Sequence, residues 1–487
     1  MSNEKDIIVG LDIGTTKIAC FIGQRADNGK VQILGFGKAP SNSVERGVVV
    51  GILDTSIAIK KAVEMASEQA GYDVKEVYVG IAGQHIRSKL SQGEIMIPRE
   101  HRFIEQEDLD QLIDEQNNIA LNPGEEIIHI FPQKYFVDGV ELGEEINPIG
   151  VQAHQLKAVF HIVTGNTANI ISIHKSVELA GLTIKGVVLE PVASALAVLD
   201  ETDKSAGVAL VDIGGGTTDI AIFHEGIIRH TSVLALAGNA ITKDIKDGCQ
   251  ILRKHAETLK TRFGHCLPEN VSENDIISIP GIRSQPPREI GMKTLAGIIN
   301  ARMVTILEQV KYEIEQSRLE RQLVAGIVLT GGGAQLSDIK QLTEYVTCIN
   351  TRIGMPDEHL VKDSDPEIIN TMYSTGIGLV IYGLEKMEEM RLHTDKDEEV
   401  ADEPVDTAPQ DEPKVFADPF GSFEQEAPSS KETAVDDTPH VAEKASEGKK
   451  SGGDRRKKFN LTKVIEDWFA KTFTDDTIRN EGDEEDE

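Results

Sequence analysis

Two segments of the chain, two hundred residues apart, repeat one chemical pattern. The first is Asp12-Ile13-Gly14-Thr15-Thr16-Lys17-Ile18-Ala19, and the second is Asp212-Ile213-Gly214-Gly215-Gly216-Thr217-Thr218-Asp219-Ile220-Ala221. Glycines let a backbone approach a ligand closely and reach positive φ. Successive turn N–H groups can line an anion-binding concavity, to which Thr hydroxyls add donors. The Asp that opens each pattern is a hard oxygen ligand, suited to Mg²⁺ held partly through water. Two such loops facing each other would clamp a polyphosphate and its metal. A single Asp-x-Gly turn also reads as an ordinary tight hairpin; two matched copies make that reading improbable. No Walker loop and no dinucleotide fingerprint after a strand competes. A third cluster, Thr330-Gly331-Gly332-Gly333-Ala334, offers bare backbone to a base or sugar.

Positioning these loops takes strands on either side. Each Asp motif follows an apolar run (7–11, 208–211) and precedes another (18–22, 220–223), so each reads as a hairpin. The third cluster ends an apolar run at 326–330 and leads into a helix-like 336–345. Further runs at 77–81 and helical stretches at 54–70, 249–263 and 295–318 alternate with these. The alternation predicts an α/β fold with mixed or parallel sheets covered by helices.

The chain has 487 residues, 81 acidic against 50 basic, and a net charge of -31. That length accommodates two or three domains. The acidity argues against nucleic acid as a partner, which would call for a basic surface. The charge is uneven: residues 395–448 hold 17 acids, 4 bases and six prolines. Such a segment buries too little apolar surface to offset the entropy of ordering, so it reads as a disordered linker. As a flexible coil it would span roughly 40 Å, and more with self-repulsion. Cys20, Cys249, Cys266 and Cys348 form no Cys-x-x-Cys pair, so unpaired thiols in a reducing cytosol are expected rather than a disulfide or zinc site. The polar N-terminus shows no signal-peptide pattern. No apolar run approaches ~18 residues, so no membrane span is expected.

Arg455-Arg456-Lys457-Lys458 then precedes an apolar-periodic stretch, 459–473. On a helical wheel Leu461, Val464, Ile465 and Trp468 share one stripe, with Phe469 beside it and Phe459 at its start. A basic cluster beside bulky apolar residues past a linker suits an anionic membrane interface. A groove in a protein is the alternative. Six of the last seven residues are acidic, which opposes attraction to an anionic surface. Within the linker, 415–423 is an apolar island that reads either as a short partner motif or as residual aromatics.

In order, Asp12-x-Gly-Thr-Thr, Glu190-Pro191-Val192-Ala193-Ser194, Asp212-x-Gly-Gly-Gly-Thr, Thr330-Gly331-Gly332-Gly333 and Ser374-Thr375-Gly376-Ile377-Gly378 resemble the five motifs of the actin-like ATPase superfamily. Within it, the opening Gly10-Leu11-Asp12-Ile13-Gly14-Thr15-Thr16-Lys17 and an insert containing Ile130-Phe131-Pro132-Gln133-Lys134-Tyr135 resemble the FtsA family of bacterial cell-division proteins. The resemblance spans about residues 5–385. It implies two duplicated α/β halves around a nucleotide cleft, with an inserted small α+β subdomain. Domain I would comprise 1–83 and 164–205 around the insert at 84–163. Domain II would be 206–390, with a smaller subdomain at about 245–315. The linker would follow at 391–454, a membrane-targeting helix at 455–474 and an acidic tail at 475–487.

The resemblance also implies roles. Gly14, Thr15, Thr16, Lys17, Gly214, Gly215, Gly216 and Thr217 would hold the phosphates of ATP. Asp12 and Asp212 would support Mg²⁺. Glu190 and Asp212 would form the catalytic pair, with Glu190 orienting the attacking water. Glu257 and Lys260, three apart on a helix and able to face one way, would contact ribose and base, and Gly331, Gly332 and Gly333 the adenosine. The implied function is a polymerising ATP-binding protein, a slow ATPase at most. It would anchor the tubulin-like protein FtsZ, through the FtsZ C-terminal peptide, to anionic lipid on the cytoplasmic face of the inner membrane at the division site. It would also help recruit later division proteins. Other readings are a small-molecule kinase of the same fold, a chaperone ATPase, and an adaptor like the pilus protein PilM. A kinase has no use for a tethered amphipathic helix. A chaperone would need a folded substrate domain after residue 385.

Overall fold

In the computed structural model the described residues are 6–97, 103–143, 147–280, 286–362 and 364–401. Two five-stranded sheets share one plan. In the first, the order is Thr183–Leu189, Glu76–Ile81, Ile7–Ile13, Lys17–Arg25, Val31–Pro40. In the second it is Thr351–Ile353, Gly326–Thr330, Val208–Ile213, Thr218–His224, Ile227–Leu234. The Asp-bearing strand sits at the centre of each. It pairs antiparallel with the strand after its loop (Asp12 opposite Ala19, Asp212 opposite Asp219) and parallel with a neighbour on its other side. Both expected hairpins are therefore present, in topologically matched halves.

The central strands are apolar on both faces because helices cover both. Leu11, Ile18 and Ile22 pack against Ile59, Ala62 and Ala66 of helix Ile52–Ala70. On the other side Ala19 and Phe21 meet Val208, Leu210 and Ala221 of the second sheet through a layer holding Ala193, Ala197, Ile377 and Val380. The outer face of the second sheet buries Val211, Ile213 and Ile222 against Leu295, Ile299, Met303 and Ile306 of helix Met292–Ser317. Each such side chain contributes about 1.5–3 kcal/mol by leaving water, and truncating a fully buried Leu11 to Ala would cost about 2–5 kcal/mol.

The middle layer consists of helices Glu190–Val198 and Ser374–Ala401, and glycines allow them to cross closely. A Cβ at Gly378 would lie 1.8 Å from the Ala193 carbonyl oxygen, and one at Gly376 would lie 2.3 Å from the Phe21 ring. Helix ends are set locally. Ile52–Ala70 stops at Gly71, whose φ of 65° and N–H to the Ser67 carbonyl close the last turn. Asn166 accepts from the Ala168 and Asn169 N–H groups to start Thr167–Leu179.

Between the strands of the first half lies a separate small sheet, ordered Arg87–Met96, Gln155–Asn166, Glu125–Val137, Val140–Glu141. Helix Gln106–Gln116 packs Leu109 and Leu112 onto it, over a core of Ile95, Leu156 and Phe160.

Two expectations require correction. The helix expected at 249–263 begins only at Arg253: Cys249 ends a separate helix, Gly238–Cys249, and the chain breaks between them at Gln250 with a φ of 52°. No Gly or Pro at 250–252 marks that break. Packing imposes it, since Ile241, Ile245 and Cys249 before the break and Ala256 and Leu259 after it bury in one core. The final helix runs to Ala401, past the boundary at 391 drawn from composition. Residues 391–401 contain no Pro or Gly, and Pro404 is the first helix breaker beyond them. The rest of the expected linker, the island at 415–423, the expected membrane residues Arg455, Arg456, Lys457, Lys458, Phe459, Leu461, Val464, Ile465, Trp468 and Phe469, and the acidic tail lie outside the described residues.

Candidate functional site

The two hairpin loops meet at the mouth of one cleft. Asp12, Gly14, Thr15, Thr16, Lys17, Glu190, Asp212, Gly214, Gly215, Gly216, Thr217, Glu257, Lys260, Gly331, Gly332 and Gly333 all line it. Every nucleotide and metal residue expected from the sequence is thus in one place. The loops come close enough that a Cβ at Gly215 would fall 2.0 Å from the Thr16 hydroxyl oxygen.

Each loop is fixed from behind. The Gly214 N–H donates to the Thr217 carbonyl at 2.9 Å, closing the second turn, and the Asn239 N–H ties the start of helix Gly238–Cys249 to the Gly215 carbonyl at 2.7 Å. In the first loop, the Gly47 N–H donates to Thr15 Oγ1 at 3.3 Å. The third loop turns at Gly331, with a φ of 83° and no room for a side chain: a Cβ would lie 2.2 Å from Asp212 Oδ1. It is anchored to the start of the last helix by Thr371 Oγ1 donating to the Gly331 carbonyl at 2.8 Å.

Five carboxyl groups line this cleft: Asp12, Glu190, Asp212 and Asp219 by the hairpin loops, and Glu257 on the far wall. Burial raises the pKa of Asp12 and Asp212, and Lys17, 3.7 Å from Asp12, opposes the rise for both. Burial, then Asp219, Asp12 and Asp212, push Glu190 well above the ordinary carboxylate range. Burial and then Asp212 do the same to Asp219. Asp212 Oδ2 accepts from Ser194 Oγ at 2.8 Å and Thr375 Oγ1 at 3.3 Å. Asp219 Oδ2 accepts from Thr217 Oγ1 at 2.9 Å, while Asp219 Oδ1 is buried with no partner. A buried carboxylate oxygen without a donor is costly unless a cation completes it. Among the described residues no three Asp, Glu, His or Cys side chains close into a ready-made metal cage. The donor set therefore suits a hard divalent ion that keeps waters and phosphate oxygens in its shell.

The far wall is a polar network. Lys260 Nζ lies 3.0 Å from Glu257 Oε2 and donates to Thr242 Oγ1 at 3.0 Å and the Gly238 carbonyl at 3.2 Å. Thr242 Oγ1 donates to Glu257 Oε2 at 2.5 Å. The pair thus faces one way, as its spacing predicts. Burial lowers the Lys260 pKa against the pull of Glu257.

Asp219, Ser194, Thr242 and Thr375 were not singled out as site residues from the sequence. For Asp219 the signal was present: it lies directly opposite Asp212 in the hairpin register, where the first hairpin has Ala19. The thiols are not part of the site: Cys20, Cys249 and Cys266 are buried, Cys348 is exposed and all are unpaired. Burial pushes Cys20 and Cys266 up to about 12.

Residues 209–378 match the family model of the cell division protein FtsA, and residues 83–164 match that of the SHS2 domain inserted in FtsA. Residues 166–241 match the model of the Hsp70 protein. The chain is 37% identical over 383 residues to the cell division protein FtsA of Pseudomonas aeruginosa, covering 79% of this chain and 90% of that relative. The chain belongs to the FtsA family. The FtsA of Escherichia coli K12 is 32% identical over 391 residues, 79% of this chain and 92% of that one. Among solved structures, the PilM-PilN type IV pilus biogenesis complex aligns with a TM-score of 0.57 at 14% identity, over 77% of this chain and 98% of that one. At that identity the likeness shows the fold alone. The FtsA family places this chain in cell division, on an actin-like fold with an SHS2 insert. Among the described residues no helix is long and apolar enough to cross a membrane.

Proposed function

We propose that this FtsA-family chain binds Mg-ATP between its two halves, and that the bound nucleotide controls its assembly into filaments. The observation behind this reading is the meeting of two matched Asp/Gly/Thr hairpins over Asp12, Glu190, Asp212 and Asp219, with Lys17 3.7 Å from Asp12. Backbone N–H groups of Gly14–Lys17 and Gly215–Thr217, with the Thr hydroxyls, are the donors for the phosphates. Asp12, Asp212 and Asp219 are the carboxylates that would hold Mg²⁺ through its waters. The ion would supply charge neutralisation and Lewis acidity to the phosphates. Glu190, at the first turn of its helix and with a pKa raised by burial, is the residue we assign to orienting the attacking water. Gly331–Gly333 and the Glu257–Lys260 pair are the surfaces for adenosine. In this reading turnover is slow at most, and nucleotide state controls the polymer rather than driving fast chemistry.

The wider role follows from the family and the tail sequence. We read the chain as the anchor of the FtsZ ring at the cytoplasmic face of the inner membrane. It would bind the FtsZ C-terminal peptide, touch anionic lipid through 455–474, and assist recruitment of later division proteins. The division into domains I and II, insert, linker and helix given above is part of this reading. Electron microscopy of the purified protein on lipid monolayers, with ATP and an FtsZ C-terminal peptide, tests membrane, polymer and partner together. Ordered filaments on anionic lipid that retain the peptide support the reading. Protein that stays off the monolayer, or binds without assembling, contradicts it.

A further inference from the structure

The strand leading to Glu190 ends on a hydrogen bond from outside its own sheet. The Leu189 N–H donates to His129 Nε2 at 3.0 Å, and His129 lies on strand Glu125–Val137 of the insert. Leu189 is the cap residue of helix Glu190–Val198 and has no side-chain acceptor to give it. A helix entry is normally fixed by such an acceptor; here an imidazole from another subdomain grips the backbone one residue before Glu190. Since the amide is the donor, Nε2 carries a lone pair and Nδ1 the proton. The neutral ring fits its burial, which with Lys386 lowers its pKa to about 4.

From His129 a stack continues across the molecule. His129 lies on Phe131 with centroids 5.2 Å apart, and Phe131 on His161 at 6.4 Å. His161 Nε2 is 2.9 Å from Thr231 Oγ1. Thr231 belongs to Ile227–Leu234, the edge strand of the second sheet, next to the strand that carries Asp219. Gln133 Nε2 donates to the Ile228 carbonyl at 2.8 Å, and Arg229 Nη1 returns a bond to the Gln133 carbonyl at 3.0 Å. The insert therefore holds the first half at the residue before Glu190 and the second half at its edge strand. A leucine at 129 would fill the space without accepting the amide.

We propose that His129 is a positioning residue: by accepting the Leu189 N–H it sets where Glu190 stands, and it makes that placement depend on the insert. Opening or closing the cleft then shears the stack, and strain on the insert reaches Glu190 by the same route. The nucleotide dependence of this link rests on the reading that the cleft binds ATP; the grip on Leu189 does not.

The test is backbone hydrogen exchange read by mass spectrometry on the full chain, wild type against His129→Leu and His129→Gln, with and without Mg-ATP. A fluorescent-ATP titration accompanies each protein. Glutamine can accept the amide and leucine cannot. We expect His129→Leu to exchange about tenfold faster across 186–193 without nucleotide, as one lost hydrogen bond would give, and His129→Gln to restore protection. On adding Mg-ATP, wild-type protection at 186–193 and 125–137 should rise together, and His129→Leu should uncouple the two. Wild-type protection at 186–193 in His129→Leu overturns the proposal. Failure of the wild type to bind ATP overturns the functional reading instead, while the nucleotide-free comparison still decides the role of His129. If His129→Leu does not fold, Thr231→Val releases the far end of the stack. An unchanged response of 125–137 to ATP in that variant overturns the link.

Discussion

Thr16 and Gly215 touch across the cleft, at a distance that only glycine permits: a Cβ on residue 215 would meet the Thr16 hydroxyl oxygen at 2.0 Å, and one on Gly216 would meet that of Thr15 at 2.4 Å. The two hairpin loops thus close on each other without side chains on one side. Gly215→Ala forces the β-branched Thr16 to move and spreads the loops. Overpacking of this kind costs about 1–3 kcal/mol, so fluorescent-ATP titration should show about five- to hundredfold weaker binding. Gly297→Ala, in helix Met292–Ser317 where an added Cβ meets no atom within 4 Å, is the control and leaves affinity unchanged.

Burial of Asp12, Glu190, Asp212 and Asp219, and then their mutual repulsion, should make the site a stability cost to the nucleotide-free protein. Glu190 has a raised folded pKa, so the stability it contributes is present at low pH and lost as pH rises through that pKa. Glu190→Gln removes the loss. The variant should melt higher than wild type by about 2 °C or more at pH 8, with the gap shrinking as pH falls toward and below the ordinary glutamate value of 4.5, where the wild-type carboxyl becomes protonated in both states. Asp219→Asn should behave likewise. Differential scanning fluorimetry across pH checks both, and a gap independent of pH would sink the argument.

The duplicated hairpins and the cleft they form were legible in the sequence because Asp, Gly and Thr at fixed spacing leave few alternatives. Glu257 and Lys260 came from the family resemblance, their spacing saying only that both can face one way; the break at Gln250 that aims their helix was not legible, and it follows from the shared burial of Cys249 and Ala256, a long-range constraint. Asp219 was visible but unassigned, since only the strand register places it opposite Asp212. The grip of His129 on Leu189 was not legible at all. It joins residues sixty positions apart through a subdomain whose docking no local pattern encodes.

The crossing of helices Glu190–Val198 and Ser374–Ala401 should tolerate no side chain at residue 378, where a Cβ would meet the Ala193 carbonyl oxygen at 1.8 Å. That atom is backbone and cannot rotate away. Gly378→Ala should destabilise the protein by about 1–3 kcal/mol in urea unfolding. It should also weaken nucleotide binding, since the same helix brings Thr375 to Asp212.

Removal of residues 455–487 should abolish co-sedimentation with anionic liposomes and leave ATP affinity unchanged, because the basic-apolar segment lies far along the chain from every residue of the cleft. Liposome binding that survives the deletion would place the membrane contact elsewhere.

The central claim is that nucleotide in this cleft governs assembly, and Asp212→Ala addresses it most directly. Asp212 sits beside Gly331, accepts from Ser194 and Thr375, and lies across the hairpin from Asp219. ATP affinity and filament formation on lipid should be measured on the same preparation of this variant. The account predicts that both fall together. Filaments of normal abundance with no bound nucleotide would contradict it.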